Sequence, residues 1–532
     1  MKNIITHIRQ SITLVMVSGL LFLSGCQTFE QLERNPNVPS SAPASLILNG
    51  ILNNTFNYSD DERPWKKGQR WNQFYTINYN YYGNNEYDWT TSSMVYMELK
   101  NVLKMEEEAK KATGKDLNPY SAMGKFFKAY LFVWMTQRMG DLPMNEALKG
   151  TDNITPKYNT QKEIYLQSLK WLDEANDDLA KLIAAGDVSM QGDIYFNNNL
   201  RQWQKVVNAF KLRVLVSLSK RENDAELNIK GRFAEVINNA AKFPILSGMA
   251  DNLEYRYNAQ FNKYPINPDN FGFDATRQQM SSTHIDLLKQ TRDPRLFMVA
   301  EPAEAQLKKG AKQTDFEAFV GANPAESLDD VATKALKGEY SFINRNRYYK
   351  SYTAENTILV GYIEMCFNIA EAAHRGWVAA NAEQWYQRGI QASQAFFGIK
   401  EGDNAVVLET RNGANISSAG YTVKFSFADF YAQPTVKYAG NNPQGLGQIL
   451  TQKYLGFFMN SGMEAFFNWR RTGFPTNFAK GGPGTGNSGV IPRRWLYPNS
   501  ERIYNEANYK AAIQAQFGKA TESVNDELWA VK

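Results

Sequence analysis

Apolar residues return at intervals of three and four in one stretch after another, and this periodicity restricts the chain to a mostly helical body. Over 120–139 it sets Met123, Phe127, Tyr130, Leu131 and Trp134 on one face, and Gly140-Asp141-Leu142-Pro143 then stops the helix. Over 160–184 the stripe is Ile164, Leu166, Leu169, Leu172, Leu179 and Leu182. Over 200–221 it is Trp203, Val206, Val207, Phe210, Val214 and Leu218. Further helices are predicted over 356–380, with Val360, Ile363, Phe367, Ala370 and Trp377, and over 382–397. Another covers 87–112 and ends in the charged run Glu106 to Lys111, which suits a solvated face. These helices come in consecutive pairs with short connections, the unit of TPR-like solenoids. No clean repeat of about 34 residues appears, so the expectation rests on architecture. Between the helices lie aromatic, Asn- and Gly-rich stretches at 65–89, 251–276, 408–434 and 473–499. Connections that long tend to carry function. The expected fold is mostly α, with TPR-like helix pairs as an α-solenoid core against a loop-rich half, in a single large domain over 44–532.

The chain has two cysteines, Cys26 and Cys366. Lys2 and Arg9 precede an apolar run over 12–23, and Leu23-Ser24-Gly25-Cys26 follows. The run is short for a bilayer span and sits where signal peptides sit. The tetrad resembles the lipobox of bacterial lipoproteins, in which the cysteine is acylated and becomes the mature N-terminus. Residues 1–25 are therefore read as a signal peptide, Cys26 as the lipidation site, and 26–43 as a polar, Pro-containing tether. Gln27 rather than Asp follows Cys26, which favours the outer membrane over inner-membrane retention. With Cys26 acylated, Cys366 has no partner for an intramolecular disulfide, so the fold must stand on its core. No later segment approaches about 18 unbroken apolar residues.

Charge narrows the partners. The precursor carries 59 basic and 54 acidic residues, and Lys2 and Arg9 leave with the leader, so the mature chain is +3. That is close to neutral for its size and carries no signal for nucleic acid.

Several segments, in order along the chain, resemble one family. They are Asn35-Pro36-Asn37 with Pro43-Ala44-Ser45-Leu46-Ile47-Leu48; Gly140-Asp141-Leu142-Pro143 through Glu146-Ala147-Leu148; Trp203-Gln204-Lys205 through Lys211-Leu212-Arg213; and Ala370-Glu371-Ala372-Ala373-His374-Arg375-Gly376. Near the C-terminus come Gln452-Lys453-Tyr454-Leu455-Gly456, Glu464-Ala465-Phe466-Phe467-Asn468-Trp469-Arg470-Arg471-Thr472-Gly473 and Ile491-Pro492-Arg493-Arg494 through Tyr497-Pro498. Each match is modest, and their order across nearly the whole chain makes them specific. The pattern resembles the SusD/RagB superfamily of Bacteroidetes outer-membrane lipoproteins, within it the SusD-like group. The resemblance implies a fold with four TPR-like helix pairs. It implies a cell-surface nutrient-binding protein that is not an enzyme and acts as lid on a SusC-like TonB-dependent transporter. The captured ligand would be an oligosaccharide or, in some relatives, a peptide. Trp469, Arg470 and Arg471 are expected to form scaffold, ion-pairing with buried acids such as Glu371 and Glu464.

Sugar binding needs flat apolar faces for ring C–H groups, with amides and charges for hydroxyls. The densest supply is Trp65, Trp71, Tyr75, Tyr79, Tyr81, Tyr82 and Trp89, interleaved with Asn84 and Asn85. Tyr255, Tyr257 and Tyr264 form a second, weaker supply. The alternative for each ring is inward packing.

Other signals dissolve. His374 falls on the apolar stripe of its helix and reads as a core histidine, and His284 follows Ser281-Ser282-Thr283 near a helix start. Gly481-Gly482-Pro483-Gly484-Thr485-Gly486 lacks the Gly-Lys-Ser/Thr of a phosphate loop. Asp269 to Asp274 lacks the spacing of an EF-hand. No metal or cofactor is expected, although a structural calcium in a loop stays open. A surface glycosidase would need a marked carboxylate pair, and none stands out. A protein-holding scaffold would need no aromatic platform.

Overall fold

The computed structural model describes residues 41–55, 62–412 and 415–532, so the leader, Cys26 and nearly all of the tether lie outside the described residues. Within the unit Ala44–Lys532, α1 (Ala44–Thr55) packs on the first of four helix pairs. The pairs are α2 (Tyr96–Thr113) with α3 (Pro119–Met139), α4 (Gln161–Ala184) with α5 (Leu200–Ser217), α6 (Tyr362–His374) with α7 (Ala382–Phe396), and α8 (Pro443–Gly456) with α9 (Glu464–Thr472). They stack as a series: α3 lies on α4, α5 and α8 both lie on α6, and α9 returns to α5. This is the mostly helical, TPR-like arrangement expected from the periodicity.

Local chemistry sets the helix ends. Asn118 caps α3 by accepting from the Ser121 amide at 2.9 Å, with Pro119 at the first helical position. Thr160 and Glu163 form a reciprocal capping box at α4. Gly114 and Gly473 close α2 and α9 in the left-handed region that other residues avoid.

The remaining chain supplies short antiparallel ladders. β1 (Tyr75–Ile77) pairs with β5 (Gln278–Met280), β2 (Leu142–Pro143) with β3 (Tyr158–Asn159), and β4 (Leu253–Tyr255) with β6 (Thr357–Val360). The long hairpin β7 (Gly402–Asn412) and β8 (Asn415–Phe425) occupies part of a stretch read above as loop. Four helix boundaries also move, among them the C-terminal end of the helix expected over 356–380, which stops at His374. The helix expected over 87–112 begins at Tyr96, because Tyr87 and Trp89 are drawn into an aromatic cluster and the Tyr87 amide bonds the Thr485 carbonyl. The helix expected from 356 begins at Tyr362, because Thr357–Val360 is taken into a ladder. The one expected to reach 221 ends at Ser217 and gives way to a 3-10 turn.

Buried charge ties the pairs together. Glu371 on α6 is fully buried and ion-pairs with Arg471 of α9, whose Nη2 lies 2.9 Å from Oε2. Arg471 also bonds Ser219 Oγ at 2.7 Å and Asn468 Oδ1 at 2.9 Å. Lys453 of α8 donates to Asn368 Oδ1 at 2.7 Å and to Asn468 Oδ1 at 2.8 Å. Burial alone would raise the Glu371 pKa, but Arg471, Arg375 and Lys453 outweigh it and hold the carboxyl well below the usual range. Arg471 and Glu371 pair as expected. Arg470 instead donates to the carbonyls of Arg493 at 2.7 Å and Gln137 at 2.8 Å. Glu464 forms no ion pair within 4 Å among the described residues, and with Arg138 and Arg213 it lines a cavity of about 50 Å³. His284 is buried in the helix Ser282–Gln290 and stacked on Phe458, and burial lowers its pKa to about 3. The His374 ring bonds the Tyr438 hydroxyl at 2.8 Å.

Replacing Glu371 by Gln leaves Arg471 buried without a counter-charge. The expected cost is about 3–5 kcal/mol in unfolding free energy, read from the urea midpoint. A loss below about 1 kcal/mol would show that the pair does not hold the frame.

Candidate functional site

The segment from Trp65 to Trp89 is anchored by two consecutive amides. Asn72 accepts from the Phe466 amide at 3.0 Å and donates to the Gly462 carbonyl at 2.8 Å. Gln73 accepts from Thr283 Oγ1 and from the Ala479 amide, each at 2.7 Å, and donates to the Ala479 carbonyl at 2.9 Å. The Tyr454 hydroxyl of α8 donates to the Asn72 carbonyl at 2.9 Å. These bonds fix the segment to the fourth helix pair and to the chain that follows it.

Most of the segment's large rings face inward. Trp65 is 6% exposed, and its Nε1 donates to the Tyr264 hydroxyl at 2.9 Å. Trp71 donates to the Glu86 carbonyl at 2.8 Å. Trp89 has no exposure and lies 3.6 Å from Trp495 in a near-parallel stack. Tyr75 is buried on β1. Tyr257 and Tyr264 are buried against each other, ring centres 5.0 Å apart, and Tyr255 is half-buried beside Tyr257. Trp65, Trp71, Tyr75, Trp89, Tyr257 and Tyr264 thus present no open face, which corrects their reading as ligand surface. The physical reason is that large rings gain most from full burial, Trp65 and Trp71 with their N–H groups partnered and Trp89 through ring contacts such as those with Trp495 and Phe466, its N–H having no partner among the described residues.

The tip of the segment behaves differently. Tyr79 is 44% and Tyr81 79% exposed, and Tyr82 is half-buried. Asn80–Tyr82 form one 3-10 turn. The rings of Tyr79 and Tyr81 lie 6.4 Å apart and 25° from parallel, and Tyr82 stands edge-on to Tyr81 at 5.2 Å. Asn85 pins the base of this turn: its side chain accepts from the Ile77 amide at 2.9 Å and donates to the Ile77 carbonyl at 3.1 Å. Asn84 sits half-buried beside it. Gly83, at φ +95°, lets the chain leave the turn.

Residues that the sequence did not single out complete the site. The ladder of β1 with β5 brings Arg277 over Tyr79, with its guanidinium carbon 4.4 Å from the ring centre. Arg70 donates to the Tyr82 carbonyl at 3.2 Å. Asp274, which accepts from the Tyr349 hydroxyl, has its pKa raised by burial to about 6. Burial and then Asp274 raise the pKa of Tyr82. None carries a local motif, because each reaches the platform only through strand pairing or burial.

Elsewhere, Phe261 is 91% exposed on a turn in which Asn258 Oδ1 accepts from the amides of Gln260, Phe261 and Asn262. A hollow of about 480 Å³ lies between Pro294, Phe297, Phe316 and the hairpin foot at Phe425 and Phe430. Among the described residues no group of three or more His, Cys, Asp or Glu is placed to hold a metal ion, and no helix is long and apolar enough to cross a membrane.

Asp274 makes stability pH-dependent. Its folded pKa lies above its unfolded value, so the protonated form stabilises the fold, and this contribution fades as pH rises from about 3.8 to about 6. The melting temperature of the protein, measured relative to Asp274→Asn, is expected to fall across that window. A constant difference from pH 4 to pH 7 would contradict it.

Comparison with known proteins places this geometry. A SusD-like family described as starch-binding and associating with the outer membrane matches residues 36–498. A SusD homolog from Bacteroides fragilis superposes with a TM-score of 0.78 at 29% identity, over 92% of this chain and 100% of that one. A second SusD homolog from the same organism gives 0.74 at 30% identity over the same shares. A chitin-binding SusD homolog from Flavobacterium johnsoniae shares the fold, with a TM-score of 0.67 at 19% identity over 92% of this chain and 98% of that one. A comparison with curated proteins found no match. With the family pattern spanning most of the sequence, the protein belongs to the SusD-like family.

Proposed function

We propose that this protein captures oligosaccharides at the bacterial surface, through the Tyr79–Tyr81–Tyr82 platform, and delivers them to a SusC-like TonB-dependent transporter, over which it acts as a lid. Binding is its whole task in this reading, with no catalysis. The observation that carries it is the exposure of Tyr79 and Tyr81 on a turn held from below by Asn85 and flanked by Arg70 and Arg277. Exposed, pre-positioned rings with polar neighbours suit sugar C–H faces and hydroxyls, at little ordering cost. The family description as starch-binding supports a glycan over a peptide. The lipobox-like tetrad ending at Cys26 supports an acyl anchor in the outer membrane, with 26–43 as the tether that allows the body to swing.

Tyr81→Ala is expected to weaken binding of the cognate oligosaccharide about five- to tenfold by calorimetry, the worth of one stacked ring. The melting temperature should not change, because Tyr81 is 79% exposed. Phe316→Ala at the separate hollow serves as the contrast. Loss of binding there, with Tyr79→Ala and Tyr81→Ala both silent, would move the site. Binding of peptides with no oligosaccharide bound would replace the ligand class.

Cys26→Ala is expected to shift the protein from the membrane to the soluble fraction. Pull-down of the anchored form from outer membranes should recover a TonB-dependent transporter, and its consistent absence would remove the lid role.

A further inference from the structure

Two arginines meet the aromatic platform, and neither has a carboxylate partner among the described residues. Arg70 is 6% exposed. Among the described residues its side chain makes one hydrogen bond, to the Tyr82 carbonyl at 3.2 Å, and its Nε is buried with no acceptor. A guanidinium carries five N–H donors, and burying it without a counter-charge costs several kcal/mol. A Cβ at Gly83 would sit 3.8 Å from both Nη1 and Nη2, so the residue bordering that end of the guanidinium brings no side chain of its own. Arg277 is half-buried over Tyr79, and among the described residues its side chain has neither hydrogen bond nor ion pair, while its Nε is buried without an acceptor.

Among the described residues, Asp274, Asp88 and Glu86 form no ion pair with either arginine. Asp274 takes the Tyr349 hydroxyl and is held toward its neutral form by burial. Asp88 stands 3.9 Å from Lys67. The Glu86 side chain lies against Gly486, where a Cβ would come within 3.0 Å of the Glu86 Cβ. The platform is thus a pair of tyrosine faces between two cations, each of whose Nε atoms is buried without an acceptor among the described residues.

We propose that this site reads an anionic group on its sugar, a uronate carboxylate or a sulfate ester, bound by Arg277 and Arg70 while the ring stacks on Tyr81. The inference rests on the reading of the platform as the glycan site. Either anion supplies the planar or tripodal acceptors that a guanidinium fork matches, whereas a neutral sugar offers only hydroxyls.

The test is calorimetry of the purified mature chain against matched neutral and acidic tetramers built on glucose, galactose and mannose, the acidic set in uronate and in sulfated forms. In at least one set the acidic tetramer is expected to bind about tenfold tighter than its neutral match, the worth of one charge-assisted hydrogen bond. That advantage should shrink in about 0.5 M NaCl, where screening is strong. Arg277→Gln should bring the acidic-to-neutral affinity ratio to near one, and the uronate and sulfate arms identify which anion is read. The salt dependence needs no variant and stands if Arg277→Gln fails to fold. Neutral tetramers that bind through Tyr81 as tightly as acidic ones, or a ratio unmoved by Arg277→Gln, would overturn this inference alone. Absence of binding in every set overturns it together with the platform reading.

Discussion

A carboxylate with no exposure, Glu371 on α6, is the point about which three helix pairs are arranged. A charge in that position must be matched inside the protein, because removal from water costs more than packing returns. Arg471 matches it from α9, Arg375 from the turn after α6, and Asn468 and Lys453 join α9 to α8 around it. Ser219, just past α5, closes the ring of contacts on Arg471. Helix pairs that might slide along apolar stripes are thereby held in one register. Hydrophobic contact alone is non-directional, and a forked ion pair is not.

That register reaches the surface through the segment that follows Trp65. Asn72 and Gln73 accept and donate with main-chain groups near α9 and beyond it, and the Tyr454 hydroxyl of α8 holds the Asn72 carbonyl. The tyrosine tip is therefore carried by the same frame that Glu371 organises. The tip itself stays outside because β1 ends at Ile77 and Asn85 clamps that strand end, leaving Tyr79 to Tyr82 to turn in solvent. A surface on so short and well-tied a turn is held in one arrangement in advance.

The legible part of this fold follows from periodicity and punctuation. The stripes of Trp203, Val206 and Phe210 or of Ile164, Leu169 and Leu172 are local, and so is the stop at Gly140. The hairpin of β7 and β8 was only half legible: Ala419, Tyr421, Val423 and Phe425 alternate along β8, while Ser417-Ser418 and the polar, Asn-containing ends of both strands read as loop. The start of α2 escaped for the opposite reason: Tyr87 and Trp89 fit a helical count, yet Trp495 and Phe466, far along the chain, claim their rings. In the site, the aromatic density of 65–89 was plain, and the division of its rings was not. Nothing local separates Trp89, sealed against Trp495, from Tyr81, standing free of the body.

The sequence by itself determined the helix-pair frame, the family and the neighbourhood of the aromatic platform. Each depends on residues close together in the chain, where spacing maps directly onto a helix face or a local motif. Tertiary structure alone decided which tyrosines meet solvent, and it alone set Arg277 over Tyr79 and Arg70 beneath Gly83. Those outcomes depend on strand pairing and burial between distant segments, whose energies no local pattern encodes.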